Sequence, residues 1–235
     1  MRLLLLSNST NPGGSFLGHA EGAIRDFLGG ALRRVLFVPF AGVRISYADY
    51  TARVREKFEG LGYGVDSLHA AEDRIRAVRE AEAVVIGGGN TFHLVHALYE
   101  GGVIDAIRER VRTGAPYVGW SAGSNVACPT LRTTNDMPIV EPPSFRTLDL
   151  VPFQINPHYV DARTEGHGGE TRDERIAEFI EVNPGVHVVG LREGTYLRIE
   201  GDEIELAGEH SARVFLHGRE SFEVAPGEDV RFLLG

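Results

Sequence analysis

Short runs of apolar residues alternate with longer amphipathic stretches along the first two-thirds of the chain. Between the apolar runs, stretches such as ADYTARVREKFEGLGY place apolar residues at helical spacing, and Gly60 and Gly62 mark the end of that helix. Hydrophobic strands interleaved with helices are typical of a mostly parallel sheet that helices cover on both faces. The sequence therefore predicts an α/β fold, with strands at Leu3 to Leu6, Val35 to Pro39, Val65 to His69, Ala83 to Ile86 and Tyr117 to Gly119.

The last third of the chain has a different pattern. The segments TYLRIEGDEIELAG and ARVFLHGRESFEVAPGEDVRFLL contain short alternating runs that are separated by Gly-Asp and Gly-Arg turns. We expect antiparallel strands that form a meander on the end of the same sheet. Because no internal repeat, low-complexity tract or Pro/Ser-rich linker interrupts the chain, residues 1–235 are predicted to form one domain.

Composition narrows the class of protein. Hydrophobic residues make up 43% of the 235 residues, which is enough for a sizeable core, and the net charge is -9. No run of Lys or Arg could follow a phosphate backbone, so nucleic acid is not an expected partner. The single cysteine, Cys128, excludes an intramolecular disulfide and suits a reducing compartment.

The N-terminal segment MRLLLLSNSTNPGG has a basic residue before an apolar run, as signal peptides do. The run from Leu3 to Leu6 is too short for a signal peptide, and we interpret it as a first buried strand. No apolar stretch approaches membrane-spanning length. We therefore expect a soluble, cytoplasmic protein without a membrane partner.

The segment PYVGWSAGSN places Ser121 between Gly119 and Gly123, where a predicted strand meets a predicted helix. This Gly-x-Ser-x-Gly spacing is that of a nucleophile elbow, a turn that exposes the serine hydroxyl at the edge of a sheet. The turn is so tight that side chains two residues before and after the serine would clash. An ordinary glycine-rich turn has the same letters, so the pattern alone leaves both interpretations open.

A run of three glycines follows the strand that ends at Ile86. In parallel α/β proteins, ligands bind at this edge of the sheet. The N–H groups of Gly88 and Gly89 could face a shared cavity and hold an anion or an oxyanion, and Asn90 caps the next helix. A purely structural turn is the alternative. A dinucleotide site is not favoured, because Phe92 stands where its third glycine belongs.

Two further polar residues follow predicted strands. His158 comes just after the strand Phe153 to Ile155, and Glu193 comes just after the strand Val188 to Leu191. A carboxylate at Glu193, or at Asp136 in RTTNDMPI, could orient the imidazole, although each acid could equally be a solvated loop residue. Other histidines, such as His93 and His96 on a helix, lack the further ligands of a zinc site, so no metal is predicted.

Four segments together resemble the peptidase E family, the aspartyl dipeptidases that remove N-terminal aspartate: IGGGNTFHL, GWSAGSNVACPTLRTTNDMPI, INPHY and GGETRDERI. Four separated motifs in the right order are far more specific than the elbow alone. The likeness runs from the first strand to at least Glu193 and is weakest in the C-terminal strands. It implies a fold related to class I glutamine amidotransferases, a serine dipeptidase without a cofactor, short peptides with N-terminal aspartate as partners, and a homodimer.

The resemblance also implies roles for single residues. Ser121 matches the nucleophile and His158 the general base. The family's third member has been described both as the aspartate that matches Asp136 and as the glutamate that matches Glu193. We favour Glu193, because its place after a strand matches the Cys-His-Glu order of the amidotransferases; Asp136 would then shape the site or hold the substrate's amino group.

Further residues are assigned to the reaction. The N–H groups of Ala122 and of the Gly88-Gly89 loop are expected to stabilise the oxyanion. Asn90 and Arg172 are predicted to bind the substrate. An arginine fork matches a carboxylate well, and Arg172 in HGGETRDERI begins a predicted helix, whose N-terminus adds positive potential. The alternative is a surface pair of Arg172 with Asp173 or Glu174; Arg175 is expected to face along the helix.

Three other functions compete with this prediction. A cyanophycinase-like enzyme has the same serine elbow but cleaves β-linked aspartyl polymers and needs an open groove. A glutaminase of the amidotransferase type requires a cysteine at the elbow, whereas Cys128 lies seven residues further on. A small-molecule-binding protein on the same scaffold would not need the serine, the histidine and the acids at once.

Overall fold

A computed structural model describes residues 1–161 and 168–235. Strands and helices are interleaved up to residue 182, and strands follow one another from residue 188 to residue 224. The strands in these ranges are β1 (Arg2–Leu6), β2 (Arg34–Val38), β3 (Gly64–Ser67), β4 (Val84–Ile86), β5 (Tyr117–Trp120), β6 (Gln154–Pro157), β7 (Val188–Leu191), β8 (Thr195–Glu200), β9 (Glu203–Gly208), β10 (Ala212–Phe215) and β11 (Phe222–Val224). The α-helices are α1 (Glu21–Leu28), α2 (Tyr47–Gly60), α3 (Arg74–Glu80), α4 (Thr91–Glu100), α5 (Ile104–Arg112), α6 (Ala122–Asn125) and α7 (Arg172–Val182).

The main sheet has seven strands in the order β3-β2-β4-β5-β1-β8-β9. Its first five strands run parallel to one another. At the other edge, β8 is antiparallel to β1, and β9 is antiparallel to β8. This architecture confirms the predicted α/β class with a mostly parallel sheet.

Helices cover both faces of the main sheet, which explains why its central strands are hydrophobic throughout. In β1, Leu3 and Leu5 point into one hydrophobic cluster, and Leu4 and Leu6 point into the other. Helices α3, α4 and α5 contribute to the first cluster, and α1 and α2 contribute to the second. Because side chains of a strand alternate between faces, a strand buried on both sides shows no polar positions.

A second sheet, of four strands in the order β11-β10-β7-β6, contains the remaining strands. The predicted C-terminal meander on a single sheet is therefore correct for β8 and β9 and wrong for β10 and β11. Strand β10 pairs antiparallel with β7, and its Val214 joins the same hydrophobic cluster as Leu3 of the main sheet. Strand β10 thus belongs to the second sheet, and the apolar side chains of one of its faces are buried in the same core as those of the main sheet.

Most of the predicted strand boundaries differ from the observed ones by at most a single residue, and the ends of β3 and β6 differ by two. Strand β3 ends at Ser67, and His69 lies in a short 3-10 helix, Leu68–Ala70. Strand β6 begins at Gln154 and includes Pro157, so His158 follows it directly. Among the described residues, no helix is long and apolar enough to cross a membrane.

The carboxyl ends of the parallel strands in the two sheets meet at one place. The N–H group of Ser121, just after β5, donates to the carbonyl of Leu6 at the end of β1. The hydroxyl of Ser7, the next residue, donates to the carbonyl of Leu191 at the end of β7, at 2.7 Å. Residues that follow β1, β5, β6 and β7 are thereby brought together.

Candidate active site

Ser121 occupies a turn that two glycines make possible. Its backbone has φ 53° and ψ -113°, a conformation that residues other than glycine rarely adopt. A Cβ atom at Gly119 would lie 2.5 Å from the carbonyl oxygen of Gly123, and one at Gly123 would lie 2.1 Å from the carbonyl oxygen of Ile86. Both contacts are with backbone, so neither can be relieved by a side-chain movement. Of the two interpretations that the glycine spacing left open, the geometry is that of the sharp elbow.

Ser121, His158 and Glu193 form one row of hydrogen bonds. The distance from Ser121 Oγ to His158 Nε2 is 3.0 Å, and the distance from His158 Nδ1 to Glu193 Oε1 is 2.6 Å. In the neutral tautomer that carries its proton on Nδ1, the ring donates to the carboxylate and leaves the Nε2 lone pair for the serine hydroxyl. The side chains of His158 and Glu193 are 42% and 40% exposed, so substrate and water can reach them.

Two residues directly after β1 hold the loops that carry His158 and Glu193. His158 has a positive φ of 53°, and its N–H group donates to Ser7 Oγ at 2.9 Å. Asn8 Oδ1 accepts from the N–H group of Gly194, next to Glu193, at 2.9 Å. Both supporting side chains are buried. Sequence reasoning missed them, although their position at the end of a buried strand was the available signal.

The glycine loop after β4 approaches the serine closely. A Cβ atom at Gly88 would lie 3.0 Å from the Cβ atom of Ser121, and one at Gly89 would lie 2.1 Å from the carbonyl oxygen of Ala41. Gly89 also has a φ of 142°, which disfavours other residues. Among the described residues, no carbonyl accepts from the N–H groups of Gly88, Gly89 or Ala122. These donors are therefore free to bind an anionic atom.

Tyr50 fixes the glycine loop in place and was not predicted from the sequence. Its hydroxyl donates to the carbonyl of Gly88 at 3.0 Å and accepts from Trp120 Nε1 at 3.1 Å. Burial raises the pKa of this phenol to about 12, so it stays protonated and remains a donor. Tyr50 lies in α2, and nothing in the neighbouring sequence indicates that its hydroxyl contacts the loop after β4.

Asp136 lies at the N-terminus of α4, and its hydrogen bonds go to that helix and to Thr134. Its Oδ2 atom accepts from the N–H group of Thr91 at 2.7 Å, from the hydroxyl of Thr91 at 2.6 Å and from that of Thr134 at 3.1 Å. Within residues 1–161 and 168–235, no donor reaches Oδ1, and His158 makes no hydrogen bond with this carboxylate. Asp136 thus lies beside the row of three residues rather than in it.

A cavity of about 690 Å³ opens in front of Ser121. Asn90 lies on its wall, but the side chain is partly committed: Oδ1 caps α4 by accepting from the N–H group of His93, and Nδ2 donates to the carbonyl of Met137. Two exposed arginines that the sequence analysis did not single out, Arg44 and Arg53, also line the cavity. The lining further includes Ser9, Phe16, Ala41, Gly42, Val43, Ile45, Tyr50, Gly88, Gly89, Trp120, Ser121, Asp136, Ile139 and His158.

Arg172 is the first residue of α7 and lies near Asp136 but does not line the cavity. The pKa of its guanidinium is lowered by burial and by the neighbouring Arg175, and the Asp136 carboxylate offsets part of this shift. Arg172 forms no ion pair with the residues that the structure describes, so the surface pair with Asp173 is not formed. Arg175 pairs with Glu170, at 3.7 Å.

Cys128 does not contribute to the site. It is fully buried, and Ile155 donates its N–H group to the sulfur at 3.2 Å. Burial raises the pKa of the thiol to about 12, so no thiolate is available near neutral pH. In the part of the chain that the structure describes, no group of three or more His, Cys, Asp or Glu side chains is arranged to hold a metal ion.

A serine on a strand-to-helix turn, hydrogen-bonded to a histidine that is backed by a carboxylate, is typical of serine hydrolases on α/β folds. Residues 3–207 match the model of Peptidase family S51. The chain therefore belongs to this family, as the resemblance to peptidase E predicts, and it is a peptidase.

Individual relatives agree with this assignment. A peptidase E of Streptomyces coelicolor is 52% identical over 235 residues, which cover 100% of this chain and 95% of that protein. A peptidase E of Nostoc sp. is 51% identical over 233 residues, or 99% and 96% of the two chains. The fold is also that of a solved peptidase from an acI-B1 Actinobacterium, which is 17% identical and has a TM-score of 0.67 over 97% of this chain and 95% of its own.

Proposed function

We propose that the protein is a serine dipeptidase that removes N-terminal aspartate from Asp-X dipeptides through an acyl-enzyme. The observation that carries this proposal is the row of hydrogen bonds from Ser121 through His158 to Glu193, with distances of 3.0 and 2.6 Å. A serine hydroxyl is a weak nucleophile until a neighbouring base takes its proton, and this row supplies the base.

In the proposed acylation step, Ser121 Oγ attacks the carbonyl carbon of the substrate's peptide bond while His158 Nε2 takes the hydroxyl proton. Glu193 stabilises the imidazolium that forms. The negative charge develops on the former carbonyl oxygen, and the N–H groups of Ala122 and of the Gly88-Gly89 loop are the donors proposed to bind it. Because these donors are fixed before the reaction, they stabilise the charge without reorganising.

The tetrahedral intermediate then collapses. His158 gives its proton to the nitrogen of the second residue, the C–N bond breaks, and the free amino acid X leaves. A water molecule next attacks the aspartyl ester of Ser121, with His158 again acting as the base. The second collapse returns the proton to Ser121 Oγ and releases aspartate.

Two of the three charges of an Asp-X dipeptide, the ammonium group and the aspartate side chain, are assigned partners in this proposal. Asp136 is the partner proposed for the substrate's ammonium group, because Oδ2 is held by three donors and Oδ1 is left without one among the described residues. Arg172 is the partner proposed for the aspartate side chain, because it is half-buried and near the site. Asn90, which lies on the cavity wall, is also proposed to bind the substrate. Arg44 and Arg53 are the competing cations on the cavity wall.

A substrate panel tests the proposal directly. Purified protein is incubated with Asp-Leu, Asn-Leu, β-Asp-Leu and glutamine, and the release of free amino acids or ammonia is followed. We expect hydrolysis of Asp-Leu alone at a substantial rate. Preferential cleavage of β-Asp-Leu would indicate a cyanophycinase-like enzyme, ammonia from glutamine would indicate a glutaminase, and no product from any of them would refute the dipeptidase.

A further inference from the structure

One hydrogen bond connects the segment that carries His158 with the helix that carries Arg172. Tyr159 directly follows His158, and Asp173 directly follows Arg172. The hydroxyl of Tyr159 donates to the carboxylate of Asp173. Neither residue lines the cavity in front of Ser121. The contact therefore connects the segment after β6 with the first turn of α7, at a place outside the cavity.

The ring of Tyr159 is buried and packed closely on several sides. It is 1% exposed, and its backbone N–H group donates to the carbonyl of Leu191 at 3.1 Å. A Cβ atom at residue 190 would lie 2.6 Å from this ring, so the glycine found there is what lets the ring lie against β7. The ring of Phe215 meets it edge-on at 6.0 Å, and the guanidinium of Arg192 lies 5.3 Å from its centre. This packing fixes the position of the hydroxyl that bonds Asp173.

Asp173 is held by charge as well as by this hydroxyl. Arg213 Nη2 on β10 lies 3.3 Å from the carboxylate. Burial and the hydrogen bond to Asp173 both raise the pKa of Tyr159, so the phenol stays a donor over the whole range in which a peptidase works. The first turn of α7 is consequently anchored to β10 and to the segment after β6.

Arg172 lies between two fixed positions. On one side Thr171 and Glu174 form a capping box that sets the start of the helix. On the other side Asp173 is held by Tyr159 and Arg213. The capping box is local to the helix, so it cannot by itself hold the helix against the site. Ile176 packs with Tyr159 and Phe215 in one hydrophobic cluster and holds the middle of the helix. The Tyr159–Asp173 contact adds a link at the first turn, next to Arg172.

We propose that Tyr159 and Asp173 are positioning residues for Arg172, and that they determine how strongly the enzyme selects a substrate with an N-terminal aspartate over one with a neutral side chain. The inference rests on the proposed function. Without the link, the guanidinium would sample several positions, and the substrate carboxylate would have to order it on binding. A substrate without a carboxylate makes no use of Arg172 and would be little affected.

The test compares kcat and KM for Asp-Leu and Asn-Leu in wild type and in Tyr159→Phe, with enough enzyme to measure the slow substrate. Phenylalanine keeps the buried ring and removes only the hydroxyl. We expect the Asp/Asn selectivity to fall by about tenfold or more, mainly through KM for Asp-Leu. The matched control is Tyr63→Phe, because Tyr63 is also buried and, among the described residues, its hydroxyl bonds the carbonyls of Arg25 and Gly29. These residues do not line the cavity in front of Ser121.

A double-mutant cycle with Arg172→Met separates positioning from a general structural effect. If Tyr159 acts through Arg172, adding Tyr159→Phe to Arg172→Met should change the selectivity no further. Unchanged selectivity in Tyr159→Phe, an equal loss for both substrates, or an additive effect in the double variant would each overturn the inference. A wild-type enzyme that cleaves Asp-Leu without preferring it would refute the proposed specificity itself, which distinguishes the two failures.

Discussion

The proposed reaction depends on one atom of Ser121, the hydroxyl oxygen Oγ. In Ser121→Ala that atom is removed from a partly exposed turn, so almost no cavity is created and the fold should persist. We expect kcat for Asp-Leu to fall by about 10⁶-fold, as when the nucleophile of a serine protease is removed. Steady-state kinetics and a thermal melt check this, with Ser144→Ala as the control, since Ser144 does not line the cavity in front of Ser121. Activity within tenfold of wild type would exclude Ser121 as the nucleophile.

Two acids near His158 are expected to have different kinetic effects. Glu193 Oε1 lies 2.6 Å from His158 Nδ1, so Glu193→Gln should disturb the tautomer and reduce kcat by about 10⁴-fold. Asp136 bonds Thr91 and Thr134 instead, so Asp136→Asn should act mainly by raising KM for Asp-Leu. Kinetics of both variants, each checked for folding, test the pair. The reverse pattern would mean that Asp136 is the third member of the triad.

Arg172 is expected to be the residue that reads the substrate's side-chain carboxylate. Sites built around a buried polar partner can reject analogues by roughly 10⁴-fold, so wild type should prefer Asp-Leu to Asn-Leu strongly. Arg172→Met should lose most of this preference, whereas Arg44→Met and Arg53→Met, which change the other cations of the site, should keep it. The ratio of kcat/KM for the two dipeptides is the measurement. If Arg44→Met or Arg53→Met removes the preference instead, the substituted arginine is the residue that binds the side-chain carboxylate.

At the scale of elements, the turn between β5 and α6 depends on the absence of a side chain at Gly123. A Cβ atom there would lie 2.1 Å from the carbonyl oxygen of Ile86, so Gly123→Ala must push β4 away from the elbow. We expect a loss of about 1–3 kcal/mol in the free energy of unfolding, and loss of activity. Chemical denaturation measures the first.

The matched control for this variant is Gly22→Ala in α1. Nothing lies within 4 Å of a Cβ atom at Gly22, which is an exposed helical position. Alanine loses less conformational freedom there, so a gain of ~0.5–1 kcal/mol is expected. Equal stability of wild type and Gly123→Ala would show that the elbow can relax, which would contradict the close-contact argument.

Elements whose evidence is local could be predicted from the sequence, and those that depend on distant contacts could not. The parallel strands and the elbow follow from short patterns, because burial on two faces and a tight turn each restrict neighbouring residues. Ser7 supports His158 across 151 residues. Its place after a buried strand marks it as a candidate site residue, but no pattern near either residue indicates that the two are partners. Strands β10 and β11 alternate as β8 and β9 do, so the sequence alone could not decide which sheet they join.

For the whole molecule, the ion pairs of Arg192 with Asp161 and Glu223 should make the stability of the fold depend on pH in the acidic range. Arg192 lies 2.6 Å from Asp161 and 2.8 Å from Glu223, which joins the segment after β6 and strand β11 to the end of β7. Its hydrogen bonds lower the pKa of both carboxyl groups, although burial partly opposes this. A lowered pKa in the folded state stabilises the fold above the unfolded pKa, and this contribution is lost as the pH falls through the folded value.

We therefore expect the Tm of wild type to decrease as the pH falls from about 6 to about 3, because the unfolded pKa values of Asp and Glu are about 4. In Arg192→Met both carboxyl groups lose the guanidinium that they share, and Asp161 keeps only the longer pair with Arg213, at 3.8 Å. Tm should therefore be lower near neutral pH and should depend less on acid. The two curves should then approach each other at low pH. Scanning calorimetry across this range measures them, with Arg79→Met as the control, since Arg79 forms no ion pair with the described residues. If the curves of Tm against pH run parallel for wild type and Arg192→Met, the loss of stability in acid comes from carboxyl groups other than Asp161 and Glu223.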